Sequence, residues 1–446
     1  MTSMYNKTTE LSHIVVIRGQ SGCLIVVVLF CIVADVSFLC IMIDSVNYRY
    51  VLCFLLFFAN IGVLPAQKYK VSSYIQGQYQ YGQPDASLKV GDTNENPDKG
   101  FNRMGIRRGR AGLEYNDGIG MGVIQINADE KGISFRDLYI GIHDPWTKRN
   151  RLTAGVFSCP FGYEVGYSTT NLESPERATV IQYFFPDERD VGAMLSLLPD
   201  QSSQLSFLRL DAGVFAGNGI NRETDNRKSF ISRLRAEKAA GSWGKWGAGA
   251  SYYRGSVYNP AAEAYEMEGK GFVRLDKGKA GTFMKREYFG LDAQLSLYSP
   301  IGTTTLRTEG LLGTQPGIAE SSRSPNYGSR PENSPGNALY KRPFLGYYFY
   351  IVQGIGASPF SVVLKYDSYD PNTDIKGAET GTDGTFTSKT DLSQNTIGTG
   401  ILYSYSKHIR LQAYYEINNN EKSPHITGYE NNRKDNIFTF RIQYKF

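Results

Sequence analysis

Ten basic residues are spaced so that they could do electrostatic chemistry together. Arg108, Arg110, Arg151, Arg233, Arg235, Lys245, Arg307, Lys365, Arg410 and Arg441 each fall on the polar register of a segment that alternates polar with apolar side chains. Guanidinium groups hold oxyanions through paired N–H donors without losing their charge, so such a set could pass an anion from one side chain to the next. Acidic residues share the same register: Glu114, Asp137, Glu237, Asp292, Glu309, Asp367 and Glu416. Arg307 with Glu309, Lys365 with Asp367 and Arg235 with Glu237 sit two apart on one face, which offers a second reading. In it the charges neutralise one another, and this needs only proximity. Neutralisation is the more economical of the two.

Other chemistries find little support. Nucleophilic catalysis needs a nucleophile, a base and an orienting group within reach of one another. The chain has 4 histidines, and those beyond the first 66 residues, His143, His408 and His425, are widely separated. No enzymatic activity, cofactor or metal is expected. The stretch YDSYDPNTD at 366–374 spaces Asp367, Asp370 and Asp374 like a calcium loop, but it lacks the glycine and terminal glutamate of an EF-hand. A strand ending at Pro371 accounts for it more simply. A net charge of +5 over 446 residues is far from that of a nucleic-acid binder.

The elements that must position these residues are strands. From residue 67 onward, segments of about ten residues alternate in polarity and are separated by Gly, Pro, Asn and Asp clusters, the pattern of a transmembrane barrel. In His408–Asn418, Ile409, Leu411, Ala413, Tyr415 and Ile417 oppose His408, Arg410, Gln412, Glu416 and Asn418. The last segment sets Phe438, Phe440, Ile442, Tyr444 and Phe446 against Thr439, Arg441, Gln443 and Lys445. Side chains alternate across a strand, so one face is apolar and the other polar. About 16 such segments can be counted, from Tyr69–Tyr81 to the closing strand, an even number as bacterial barrels require. The expected fold is all-β: a transmembrane antiparallel β-barrel spanning 67–446 as one domain. Closure would pair every backbone group, which hydrocarbon demands. The mean hydropathy of −0.33 is compatible, since half of each strand faces water. The longest connections, Gln83–Asn102, Ser158–Asp190, Tyr258–Met284, Gly313–Pro343 and Asp370–Gln394, alternate with short ones and are expected on the external side.

Residues 1–66 differ. Two apolar runs occur there, Cys23–Ala34 continuing through Val36–Ile43, and Val51–Ala66, the second preceded by Arg49 and ending in VLPAQ. This reads as a signal region with a start at Met42 and cleavage near Ala66, because Val51–Ala66 is short of the roughly 20 apolar residues that span a bilayer. Four of the 5 cysteines lie in this leader, leaving Cys159 without an intramolecular partner. The leader's acidic and basic residues cancel, so the rest of the chain keeps the charge of +5.

From Phe135 to Leu197 the sequence is more specific: FRDLYIGI, LTAGVFSCPFGYE, TTNLESPERA and FPDERDVGAML follow in order. FAGNGIN (215–221), YFGLDAQLSL (288–297), RTEGLLGTQ (307–315) and KYDSYDPNTD (365–374) continue the series. This order resembles the phosphate-selective porin O and P family of Gram-negative outer membranes. The resemblance implies a homotrimer of 16-stranded, water-filled channels in outer-membrane lipid, with the third external loop folded inward; that loop matches Ser158–Asp190. It further implies passive diffusion of small hydrophilic solutes or inorganic anions such as phosphate. Phosphate-specific members carry lysine at the constriction, whereas Ser158–Asp190 contains none. Its charged residues include Glu164, Glu173, Glu176 and Arg177, the constriction candidates, and an acidic loop facing a basic wall would set up a transverse field. Tyr348 and Tyr350, or their neighbours Tyr347 and Phe349, could line a slide for sugars, although lipid contact is the simpler fate for them. A barrel that binds a partner, adheres, or serves a larger uptake complex is the alternative to an open pore.

Overall fold

The computed structural model describes residues 13–18, 24–32, 35–42, 68–91 and 101–446, apart from 222, 224, 276–279 and 325–336. Met1–Lys68 and Tyr69–Phe446 form separate units. In the first, β1 (His13–Arg18), β2 (Leu24–Ile32) and β3 (Asp35–Met42) make a three-stranded antiparallel sheet in that order. The run Val51–Ala66, read above as a signal segment, lies outside the described residues.

The second unit is a closed antiparallel barrel with 16 wall strands. The wall runs β4 (Tyr69–Gly82), β5 (Phe101–Asn116), β6 (Gly120–Asp129), β7 (Gly132–His143), β8 (Arg151–Ser158), β9 (Arg189–Leu197), β10 (Leu208–Phe215), β11 (Ser229–Ala239) and β12 (Gly244–Asn259). It continues with β15 (Thr282–Ser299), β16 (Gly302–Gly317), β17 (Leu339–Gly354), β18 (Phe360–Asp370), β19 (Gln394–Ser404), β20 (Ile409–Asn420) and β21 (Ile437–Lys445). Each expected segment corresponds to one of these strands. The closing strand pairs with β4 from Ile437 opposite Gly82 to Lys445 opposite Tyr74, and Phe446 exchanges backbone bonds of 2.9 and 3.0 Å with Ser73. Among the described residues the barrel wall leaves no strand edge open, which removes the template for aggregation there.

Alternation decides the two faces. Leu291 is 70% and Met104 75% exposed on the outside, while Gln76, Arg108, Lys365 and Arg441 are buried on the inside. Long connections all fall at one end. Shorter connections of two to ten residues join the strands at the other end, among them the turn after β7, where the Asp144 carboxylate accepts from the Thr147 N–H (2.6 Å), Thr147 hydroxyl (2.7 Å) and Asn150 N–H (2.9 Å).

Three features were not read from the sequence. The long connection after β12 holds a hairpin, β13 (Ala264–Glu268) with β14 (Gly271–Arg274), and β13 also pairs in parallel with the start of β17. A six-residue helix, α1 (Thr179–Phe184), sits between β8 and β9; it is too short to show a period and buries Val180, Ile181 and Phe184. Two β-bulges interrupt the alternation. In β5, Arg108 faces Gln76 and Ile106 faces Gly77, so Arg107 is the extra residue. In β7, Asp137 faces Gln125 and Phe135 faces Ile126, so Arg136 is.

Candidate functional site: the inner face and the segment 159–188

The segment between β8 and β9 makes its contacts on the inner face of the wall. Its apolar side chains, Phe161, Val165, Ile181, Phe184 and Phe185 among them, join a buried cluster with inward residues of β8 to β20. Phe184 lies 4.2 Å from Phe344 and 5.1 Å from Tyr288, ring centre to ring centre. Burial of this many aromatic rings is the main attraction holding the segment to that side, since each ring removes on the order of 150–250 Å² from water. Gly346 makes room for it: a Cβ there would come within 2.4 Å of Val180.

Across the lumen the contacts are polar. Tyr74 and Thr169 share a hydroxyl bond of 2.5 Å, and the amides of Gln76 and Gln443 donate to the carbonyls of Thr169 and Thr170, each at 3.2 Å. Arg410 donates to the Leu172 carbonyl at 2.8 Å, and Gln412 to that of Glu173. These partners lie on β4, β20 and β21. The segment therefore touches both sides of the inner wall.

Glu164, Glu173, Glu176, Arg177 and Glu188 are spent on the same task. Glu176 is paired with Arg107 (2.7 Å), Arg108 (2.8 Å) and Arg441 (3.2 Å). Glu188 is paired with Arg177 (2.7 Å), Arg189 (2.7 Å) and Arg136. Glu173 is paired with Arg307, whose guanidinium also lies 4.6 Å from the Tyr167 ring centre and 4.7 Å from that of Tyr350. Glu164 accepts from the Ala178 N–H (2.7 Å) and the Tyr350 hydroxyl (3.2 Å). Arg177 also reaches the carbonyls of Glu164 and Tyr167. The expected transverse field across a gap is thus replaced, at Glu173 and Glu176, by direct ion pairs between segment and wall. Buried carboxylates and guanidiniums must find partners, and here each is the nearest partner of the other.

All ten basic candidates lie on the inner parity of their strands. Arg108 and Arg441 are brought together at Glu176; the others are spread round the wall. Lys365 pairs with Asp367 at 3.1 Å, and Arg235 with Glu237 at 3.7 Å, as same-face neutralisation requires. Arg307 turns instead to the segment, leaving Glu309 to accept from the Glu164 N–H (3.0 Å) and the Tyr348 hydroxyl (2.8 Å). Arg233 pairs with Asp292 at 2.8 Å across two strands, and Asp137 with Arg189 at 3.0 Å. Arg110 bonds Asn127 (3.2 Å) and Thr169 (3.1 Å), and Arg151 lies 3.4 Å from the Met121 sulfur. Among the described residues, Arg110, Arg151, Lys245, Arg410, Glu114, Glu309 and Glu416 make no ion pair.

Sequence reasoning missed Arg107 and Arg136, which strict alternation would send outward; a doubled arginine in GIRRGR was the one visible hint of a bulge. It also misjudged Tyr348 and Tyr350. Both are buried on the inner face beneath the segment, whereas Phe349 is exposed outside, so neither lipid contact nor an open slide describes them. Asp367 accepts from the Thr179 N–H (2.7 Å) and Asp370 from Asn372 and Lys376, so the aspartates of 366–374 serve different partners around a strand end.

No family model matches the chain, and no curated protein matches it. Among solved structures, it is similar to OprB of Pseudomonas putida at high pH (TM-score 0.54, 9% identity, 85% of this chain and 95% of that one). It is similar to OmpF of Salmonella typhi in complex with daunomycin (TM-score 0.53, 10% identity, 85% and 97%). It is also similar to the outer membrane channel DcaP of Acinetobacter baumannii (TM-score 0.51, 12% identity, 85% and 97%). At these identities the likeness is one of fold: the chain shares the β-barrel of Gram-negative outer-membrane porins and channels.

Proposed function

We propose that the chain is an outer-membrane porin, a water-filled channel through which small hydrophilic solutes diffuse passively, with inorganic anions favoured over cations. The observation that carries this reading is the closed wall itself, apolar outside and lined inside with glutamines, arginines and paired carboxylates. Such a wall suits lipid on one face and water on the other. The segment 159–188, bound to the inner face on both sides, supplies the constriction. Anion preference follows from the basic wall candidates without ion pairs among the described residues, Arg110, Arg151, Arg410 and Lys245, against three acidic ones, Glu114, Glu309 and Glu416. Rings of charge of one sign set ion preference in a narrow pore. The ordered motifs from Phe135 to Lys365 support placing the chain with the phosphate-selective porin O and P family, as a homotrimer. Residues 1–66 would then act as an export leader, with a start at Met42 and cleavage near Ala66.

The test is planar-bilayer recording. A porin gives stepwise current, and reversal potential in a salt gradient reads its selectivity. Phosphate added at constant chloride lowers chloride current if phosphate shares the path. A silent bilayer with folded, inserted protein refutes the pore, and a cation-leaning reversal potential refutes the anion preference.

A further inference from the structure

The outer face of the barrel is not smooth. A groove of about 410 Å³ opens on it at the long-connection end of β16, lined by Phe289, Leu312, Thr314, Pro343, Leu345 and Thr373. Strand register shows why it is there. Phe289, Leu312 and Leu345 stand side by side in one outward row, and Leu291, Gly310 and Tyr347 in the next row toward the middle of the wall. Gly310 puts no side chain between Leu291 and Tyr347, and a Cβ there would meet nothing closer than 3.8 Å. The low ground along β16 thus runs on from Leu312 to Gly310 between larger side chains. Phe289 also closes a row of rings with Tyr252 and Phe230, at 5.1 and 6.5 Å between successive centres.

Charge gathers at the head of this groove. Arg254, Glu287, Thr314 and Pro343 form the outward row above Phe289, and Lys285 follows on β15 nearer the end. Glu287 accepts from the Tyr252 hydroxyl (2.7 Å) and pairs with Lys285 (2.7 Å). The Arg227 guanidinium lies 5.1 Å from the ring centre of Phe283, two residues before Lys285. Arg227, Arg254 and Lys285 are exposed, and neither arginine makes an ion pair among the described residues. Three cations therefore stand against one carboxylate. Arginine on the outside of a barrel is costly at the bilayer midplane and cheap at the interface, so these rows mark headgroup level.

We propose that the groove binds an acyl chain of a phosphorylated outer-leaflet lipid of the lipid A type, whose phosphates rest on Arg227, Arg254 and Lys285. The inference goes beyond the channel reading and rests on its outer-membrane placement alone. A flexible hydrocarbon chain fills a concave apolar surface and recovers dispersion contacts that a gap would forfeit. Guanidiniums take phosphate oxygens through paired donors. With Glu287 offset against Lys285, two positive charges remain, which a lipid with two phosphates matches better than one with a single phosphate.

The experiment is native mass spectrometry of the full-length protein in detergent, titrated with bis-phosphorylated lipid A, monophosphorylated lipid A or phosphatidylglycerol. The bis-phosphorylated form should give one retained adduct per chain at the lowest concentration. Each cation at headgroup level is worth about fivefold, so Arg227→Gln with Arg254→Gln should raise its half-saturating concentration about twenty-fivefold. Gly310→Phe, which fills the lower groove and leaves the cations in place, should abolish the retained adduct. Unchanged retention in either variant overturns the proposal, as does phosphatidylglycerol held as tightly as bis-phosphorylated lipid A. Lipid held by single chains and shed from their assemblies also overturns it, since another copy would then cover the groove. A silent bilayer with retention intact overturns the channel reading and leaves the lipid site standing. Protein that partitions into no bilayer overturns the placement and the proposal together.

Discussion

Replacing Glu188 by alanine should release the segment 159–188 while leaving the barrel intact. Glu188 ends the segment and gathers Arg177, Arg189 and Arg136. Arg189 keeps Asp137 at 3.0 Å after the change, but Arg177 and Arg136 lose their only carboxylate among the described residues. If these groups were exposed the loss would be under about 1 kcal/mol. They are not: side-chain exposure is 5% for Arg177, 12% for Arg136 and 8% for Glu188. Breaking a buried pair by removing one partner costs about 3–5 kcal/mol, because a guanidinium is left in low dielectric without compensation. The Glu188 side chain takes no part in the wall ladder, which its backbone only extends through the Cys159 N–H, so the cost falls on local opening of the segment. The assay is amide hydrogen exchange in detergent or bilayer. In the wild type the Gln182 and Phe185 amides are protected by bonds of 3.0 and 2.9 Å to the Ala178 and Ile181 carbonyls. In Glu188→Ala their exchange should accelerate by about a hundred- to a few-thousand-fold, with strand amides of β15 and β16 unchanged. Wild-type exchange rates at these two amides would refute the argument that ion pairs hold the segment. Equal acceleration throughout the strands would show that the segment and the wall open together.

Further expectations follow from packing and from the turns. Gly346→Leu places atoms where Val180 now sits, with an overpacking cost of about 1–3 kcal/mol, and should lift α1 off β17. Thiol labelling of the buried Cys159, read by mass spectrometry, should increase in that variant and not in Gly310→Ala, where a Cβ meets nothing closer than 3.8 Å. The N–H and hydroxyl of Thr147 hold the Asp144 carboxyl well below the usual carboxylate range. A depressed carboxylate contributes stability that is present above its unfolded value and is lost as pH falls through the folded one. Trp146 anisotropy, in a protein with Trp243 and Trp246 changed to Phe, should therefore hold steady from pH 7 through the ordinary aspartate range near about 4. Asp144→Ala should lose that rigidity already at neutral pH; a wild-type turn that loosens at pH 4 would contradict the assignment.

Much of the wall was legible because two-residue periodicity is a local property. His408–Asn418 and the closing strand state their own faces, and the lipid-water contrast across a barrel makes that pattern strict. The long and short connections were legible for the same reason, being the stretches where alternation stops. Partners were not legible. Arg235 and Glu237 are same-face neighbours and do pair, yet Arg307 leaves the nearby Glu309 for Glu173, which lies 134 positions earlier in the chain. Arg107 and Arg136 face inward through single inserted residues that reverse the parity of the strand on one side, and no count of alternating positions reveals which residue is the inserted one.

The amino-acid sequence by itself determined that the chain alternates, roughly how many strands it makes, and which side of each strand is wet, since each follows from side-chain polarity over a few consecutive residues. Only the tertiary structure decided what the wet side holds. A segment rich in carboxylates met a wall rich in arginines, and burial made those charges choose one another. Coulomb attraction between residues hundreds of positions apart depends on distance in space, which no local pattern records.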